Sequence, residues 1–318
     1  MAKNCDYVAV DIGATNIRVA VGSQEGIRVK HSEATDRLNG SEGVPRQIAR
    51  MIRGLGVEPV AIGVGSIGPL DTRKGVIGET PNFSFKHVPV VSPLEGEFGV
   101  PVRIMNDCNA AVIGEHLYGA GRGLDNLFYV TLSTGLGGGA IVDGNPLNGK
   151  DGNAPEIGHL TVDPDSELVC GCGCRGHWEA YCSGANIPNY ARVLLRNRDL
   201  EGGLLLKMVG GDLGKLTSEM IFDAAKKSDR DAVFVVEEVG KTNAVGFANI
   251  VNAFDPELIT VGGSVALNNP VMVIGPIKKG IDRHLINRKP EIMMTPLGAD
   301  AVLYGGLALA MKLAGGTF

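Results

Sequence analysis

Two glycine-bearing turns, each framed by β-branched runs, constrain this chain more than any other feature. Tyr7 to Ile12 and Asn16 to Val21 alternate in part and are separated by Gly13-Ala14-Thr15, which predicts a strand, a tight turn and a returning strand. The device recurs at Leu127 to Leu132, a glycine turn, and Ala140 to Val142. Strand-like runs at Val60 to Gly65 and Val102 to Met105 lead into Asn109 to Tyr118, where Ala, Val, Ile and Leu take helical spacing. An α/β lobe and a duplicate of it are expected. At 318 residues the chain exceeds what one core usually serves, so two lobes with a central cleft follow.

The turns carry ligand chemistry. Asp11 to Asn16 reads Asp-Ile-Gly-Ala-Thr-Asn, a carboxylate leaving a strand just before amides and the Thr15 hydroxyl. Such a turn can cradle phosphate oxygens, although an ordinary hairpin needs the same glycine. The stretch 131–139 packs four glycines and three hydroxyls into nine residues, which leaves little side chain for packing. A dinucleotide fingerprint would need a helix after Gly135, Gly137 and Gly138, yet Ala140-Ile141-Val142 reads as strand. Gly240-Lys241-Thr242 imitates a Walker A ending, but Val235 replaces the earlier glycine inside a helical pattern. Two hairpin turns gripping one polyphosphate is the arrangement of the actin-like ATPases.

Composition narrows the partners. The net charge is -5 and no basic stripe is present, which excludes nucleic acid. Met1 to Asp6 holds no apolar signal core, and no apolar run approaches the ~20 residues that span a bilayer; a cytoplasmic protein without a membrane partner is expected. Four of the six cysteines cluster at Cys170, Cys172, Cys174 and Cys182, and clustered thiols in a large cytosolic chain more often hold metal than form disulfides. Beyond them, helices are expected at Ile187 to Arg196, Thr217 to Lys227, Asp231 to Ala253 and Pro270 to His284, with a strand at Leu258 to Val261. A last helix, Leu303 to Ala314, should pack back on the first lobe.

Asn106-Asp107 ends a strand and opens a helix. Asp107 is the candidate base, since phosphoryl transfer asks for one carboxylate to accept the proton of the attacking hydroxyl; the same residue could cap the helix, and both roles could coexist. Gly68-Pro69-Leu70-Asp71 and Pro81-Asn82-Phe83 are turn-rich loops, and the Asn82 amide can both donate to and accept from a sugar hydroxyl. Glu156, His159 and Glu179 add acceptors and a donor suited to a polyol.

Asp11 to Asn16, Asn106-Asp107, the 131–139 stretch, Glu156-Ile157-Gly158-His159, Cys170-Gly171-Cys172-Gly173 and Glu179 to Gly184 occur in the order found in the ROK family of repressors and sugar kinases, which the chain resembles nearly end to end. Asn252 to Pro256 followed by Val261-Gly262-Gly263 resembles that family's adenosine-side segment, and Leu297 to Ala310 its closing helix. The resemblance implies an α/β, two-lobed actin-like ATPase (ribonuclease H-like) fold. It places 1–115 with 300–318 in a small lobe and 116–299 in a large lobe with a zinc loop.

It also implies an ATP-dependent hexose kinase, with Asp107 as base and Gly68, Asn82, Asn106, Glu156, His159 and Glu179 at the sugar. ATP would lie against Asp11, Gly13, Ala14, Thr15, Asn16, Ser133, Thr134, Gly135, Gly137, Gly262 and Gly263, with Mg²⁺ near Asp11 through water. The family's zinc site uses the positions of His159, Cys170 and Cys172; His177 stands where a third cysteine is usual, and Cys174 is a substitute. A neutral imidazole can replace a thiolate in tetrahedral zinc. Gly68 to Asp71 and Pro81 to Ser84 resemble the glucokinase branch more than the N-acetylmannosamine branch. Repressors of the family carry a helix-turn-helix domain before the first turn, whereas ten residues precede Asp11, so a kinase is expected over a regulator. A homodimer or homotetramer is implied by resemblance alone.

Overall fold

The computed structural model describes residues 6–79, 86–200 and 202–315, so Asn82 and the loop around it lie outside the described residues. Contacts separate two compact units: Met1–Tyr129 with Gly139–Pro155 and Thr295–Phe318, and Val130–Gly138 with Glu156–Met294. Relative to the expected boundaries at 115/116 and 299/300, the first unit takes more of the chain.

In the first unit, β1 (Asp6–Ile12), β2 (Asn16–Ser23) and β3 (Gly26–Ala34) form an antiparallel meander, followed by α1 (Gly43–Gly54) and β4 (Pro59–Ser66). The short strands β5 (Leu70–Asp71), β6 (Val76–Ile77) and β7 (Val88–Pro89) make a small sheet before α2 (Val91–Phe98), β8 (Val102–Asn106) and α3 (Asp107–Tyr118). The main sheet has the order β3-β2-β1-β4-β8, with β4 parallel to both β1 and β8. Alternation along β1 explains its burial on both faces. Val8, Val10 and Ile12 pack with Ile48 and Ile52 of α1 on one face. On the other, Ala9 meets Leu303 and Leu307 of the closing helix.

The chain continues through β9 (Leu127–Leu132), β10 (Leu136–Val142) and β11 (Asn145–Pro146). Helices α4 (Glu179–Cys182), α5 (Ile187–Leu195), α6 (Leu204–Met208), α7 (Ser218–Lys226) and α8 (Arg230–Phe254) follow. Then come β12 (Leu258–Gly262), α9 (Ser264–Asn268), α10 (Pro270–Gly280), β13 (Glu291–Met294) and α11 (Ala301–Leu313). The second sheet has the order β11-β10-β9-β12-β13. Position for position this repeats the first sheet, so the duplication read from the two hairpins is present in the topology.

Two details depart from the expected elements, and a third bears one out. The returning strand of the second hairpin starts at Leu136, not Ala140, so Gly137, Gly138 and Gly139 are strand residues. A Cβ on Gly139 would lie 2.1 Å from the Cys108 carbonyl oxygen, and this close backbone approach is what a strand glycine permits. The expected helix Pro270 to His284 tightens into a 3-10 turn at Ile281–His284. The Gly240-Lys241-Thr242 segment lies inside α8, where Gly240 makes room for Pro276 of α10.

The closing helix packs on α3, β4 and β1 of the first unit, as expected. Gly305 lies against the Ala110 carbonyl and Gly63 against the Gly306 carbonyl, at distances no Cβ could occupy. That close packing holds α3, and with it Asp107, against the sheet. No helix among the described residues is long and apolar enough to cross a membrane.

Candidate functional site

The first turn is braced by side chains. The hairpin register sets Arg18 opposite Asp11; Arg18 Nε donates to Asp11 Oδ2 at 2.8 Å and a second guanidinium nitrogen to the same oxygen. Arg18 Nη1 also donates to the Ala299 carbonyl at 2.5 Å. Burial pushes the Asp11 carboxyl up, and the guanidinium opposes that shift. Gly13 N–H donates to the Asn16 carbonyl at 3.0 Å, Thr35 Oγ1 to the Gly13 carbonyl at 2.8 Å, and Arg37 to the Ala14 carbonyl, while Thr15 and Asn16 are exposed. Arg18, Thr35 and Arg37 are absent from the sequence reading; the hairpin register alone could have found Arg18.

At the start of α3 the cap is Asn106, not Asp107. Its Oδ1 accepts from Cys108 N–H at 2.9 Å and Asn109 N–H at 3.3 Å, the bonds of an N-cap. Asp107 is the first helical residue; its Oδ1 accepts from Cys108 N–H at 2.8 Å. Gly68 sits beside this helix start, since a Cβ there would lie 3.8 Å from Asn106 Nδ2.

In the second unit, the turn after β9 is held by backbone. Ser133 N–H donates to the Gly135 carbonyl at 2.9 Å, Gly184 N–H to the Ser133 carbonyl at 2.6 Å and Ala185 N–H to the Thr134 carbonyl at 3.1 Å. Gly263, at φ +86°, would place a Cβ 2.4 Å from the Leu132 carbonyl oxygen, so the Gly262-Gly263 segment lies directly against this turn. The turn opens on a cavity of about 610 Å³ walled by Ser133, Thr134, Phe222 and Asp223 of α7, and Ser264 and Asn269. Its volume falls within the range of small-molecule sites. The α7 wall carried no sequence motif.

Glu156 is exposed and precedes the 3-10 turn Ile157–His159; Gly158 lets that turn approach the Leu136 carbonyl. His159, Cys170, Cys172 and His177 converge, with one ligand atom from each lying within 4.8 Å of the others. Cys170 Sγ is 3.6 Å from His159 Nδ1, and Cys172 Sγ 3.3 Å from His177 Nδ1. Tetrahedral zinc bonds would set sulfur and nitrogen about 3.5 Å apart, so the donor set fits that ion. Burial pushes the Cys170 thiol up to about 12 and holds the His177 imidazole below its usual range; a bound dication would draw the thiol to thiolate. Cys174, the expected substitute, lies outside this set with an exposed thiol, while its carbonyl accepts from Cys170 N–H at 2.8 Å. Cys182 is buried with its Sγ on the Val239 carbonyl at 3.5 Å.

Trp178 anchors this loop. It is fully buried, donates from Nε1 to Asn243 Oδ1 at 2.9 Å, and fits against Gly246 of α8. Glu179 then links the donor set to the turn, because Oε1 accepts from Cys170 Sγ at 3.4 Å and Oε2 from Leu136 N–H at 3.0 Å.

Residues 7–313 match the ROK family. The chain is 39% identical to the glucokinase of Pyrobaculum calidifontis, over 98% of this chain and 96% of that protein. It is 36% identical to the glucokinase of Aeropyrum pernix, over 96% and 97%. A ROK family glucokinase from Streptomyces griseus, solved in complex with glucose and AMPPNP, is similar with a TM-score of 0.81 at 33% identity, covering 96% of this chain and 99% of that one.

Proposed function

The chain belongs to the ROK family, and on that premise we propose that it transfers the γ-phosphoryl group of ATP to the 6-hydroxyl of glucose. Its fold is that of the actin-like, ribonuclease H-like ATPases. The observation that carries the reading is the start of α3, where Asn106 caps the helix at the end of β8 and Asp107 opens it beside Gly68, with its Oδ1 on Cys108 N–H.

Asp107 takes the proton of the attacking hydroxyl as that oxygen bonds to the γ-phosphorus and ADP leaves with the electrons of the broken P–O bond. Asn106, Gly68, Glu156, His159 and Glu179 are the residues assigned to the sugar; Asn82 keeps the same assignment. The first turn, Asp11 to Asn16, and the second, Ser133, Thr134, Gly135 and Gly137, receive the phosphates, and the cavity bounded by α7 and Ser264 takes the nucleoside. Mg²⁺ enters with ATP, and the Asp11 carboxylate is the hard oxygen donor suited to it through water.

Zinc would be held by His159, Cys170, Cys172 and His177. When bound it supplies a structural tie, leaving His159 Nε2 as the ring nitrogen for a sugar hydroxyl.

A sugar panel with ATP, followed by coupled ADP release, tests the proposal. The highest kcat/KM is expected for glucose, over mannose, N-acetylglucosamine and N-acetylmannosamine. Preference for an N-acetylated sugar would move the substrate, and no turnover with any sugar would end the kinase reading.

A further inference from the structure

The loop that leaves β11 and runs to Pro155 has no regular structure, yet it is bound to β5 and α3 at consecutive residues. Asn153 Oδ1 accepts from Leu70 N–H at 2.9 Å, and Asn153 Nδ2 donates to the Leu70 carbonyl at 3.0 Å. A side-chain amide carries one acceptor and donors in a plane, so Asn153 pairs with Leu70 as a neighbouring strand would. Leu70 is paired on its other side with Ile77, and Asn153 thus closes the open edge of the two-residue strand β5. At the next residue, the Ala154 carbonyl accepts from Asn109 Nδ2 at 2.8 Å. Asn109 is fully buried in the first turn of α3, two residues beyond Asp107.

Gly68 completes the node. Its Cβ, if present, would lie 3.7 Å from Asn153 Oδ1 and 3.8 Å from Asn106 Nδ2. The helix that carries the base, the Gly68–Leu70 loop and the chain leading out to Glu156 are therefore joined through two asparagine amides. Only Pro155 stands between Ala154 and Glu156, and two residues span at most about 7 Å. Fixing Ala154 confines where Glu156 can begin.

We infer that Asn153, with Asn109 behind it, is a positioning residue for sugar binding: it clasps the Gly68–Leu70 loop to the segment that delivers Glu156. Its amide is spent on backbone partners, so its action on the sugar is indirect. The inference rests on the kinase reading for its kinetic consequence.

The test compares Asn153→Ala and Asn153→Asp with the full-length wild type by steady-state kinetics, calorimetric glucose binding and amide hydrogen exchange at Leu70. Misplacement of binding groups by about 1 Å is worth up to 10²-fold. Asn153→Ala is expected to raise the glucose KM and Kd about tenfold or more, leave the ATP KM within about twofold, and speed exchange at the Leu70 amide. Asn153→Asp keeps the acceptor for that amide but loses the donor to the Leu70 carbonyl. It should show near-wild-type exchange at Leu70 and an intermediate glucose KM. Glucose affinity unchanged in Asn153→Ala despite faster Leu70 exchange would overturn the inference, as would equal losses in glucose and ATP affinity. If Asn153→Ala fails to fold, Asn153→Asp decides: a raised glucose KM and Kd with the ATP KM spared supports the clasp, and glucose affinity equal to wild type, or an equal loss of ATP affinity, overturns it. A wild type that binds glucose but phosphorylates no sugar would end the kinase reading, while the binding and exchange comparisons would still judge the clasp.

Discussion

The same hairpin device is braced differently in the two units. In the first, charged and hydroxyl side chains hold the turn: Arg18 on Asp11, Thr35 on the Gly13 carbonyl and Arg37 on the Ala14 carbonyl. In the second, backbone amides of Gly184 and Ala185 hold it, helped by one Glu179 oxygen, and it opens on a cavity lined by its own hydroxyls. A duplicated backbone motif can thus be kept while its surroundings diverge. The first unit has a carboxylate paired with Arg18 and a turn tied by side chains, the second a cavity beside its turn and a Cys/His cluster.

If that division is right, changing the carboxylate that opens α3 should act on turnover, and changing the turn or the Cys/His cluster of the second unit should act on substrate affinity. The largest effect is expected from Asp107→Asn, which should lower kcat by about 10²- to 10⁴-fold with glucose binding kept within a few-fold by calorimetry. Comparable turnover in that variant would remove Asp107 from its role and blur the comparison. Next is Gly263→Ala in the second unit. It combines a positive-φ backbone with a contact to the Leu132 carbonyl that no Cβ fits, a cost of about 2–4 kcal/mol. Steady-state titration with ATP should show its KM raised well beyond that of glucose.

Zinc removal should be milder and should fall on the sugar. Elemental analysis of the purified protein is expected to find one zinc per chain, and chelation should raise the glucose KM about 10- to 100-fold with the ATP KM spared. Substoichiometric zinc in active protein would refute the metal assignment.

The smallest effect concerns Glu115, a buried carboxyl of α3 outside the chemistry, which accepts from Ala120 N–H at 3.1 Å and from the Thr295 hydroxyl. Burial raises its pKa above the ordinary 4.5, against those hydrogen bonds. A carboxyl whose folded pKa is raised contributes stability below its unfolded pKa and loses it as pH climbs through the folded value. Glu115→Gln, whose amide can serve both partners, should therefore flatten the decline of Tm as pH rises above about 4.5. Parallel wild-type and mutant Tm profiles would show that Glu115 stays uncharged or equally solvated across that range.

Much of this arrangement was legible in the sequence because it follows from local spacing. The first hairpin, the helix opening at Asp107, the helical nature of Gly240 to Thr242 and the Cys/His spacing all depend on residues close in the chain. The capping role was legible as chemistry but assigned to the wrong neighbour, since Asn106 and Asp107 are both good caps and only backbone geometry separates them. The start of β10 was missed because glycine runs read as turn. Gly139 is required by Cys108, a contact more than thirty residues away in sequence.

By itself, then, the sequence determined the duplicated strand and turn pattern, the family and the set of residue types available for phosphoryl transfer. Tertiary structure alone decided which side chains brace those residues: Arg18 on Asp11, Glu179 between Cys170 and Leu136, Asn153 on Leu70, and α7 as a cavity wall. Periodicity and motif spacing record how a segment meets its own neighbours. Hydrogen bonds between segments depend on how packed elements bring distant backbone edges together, and no local pattern encodes that.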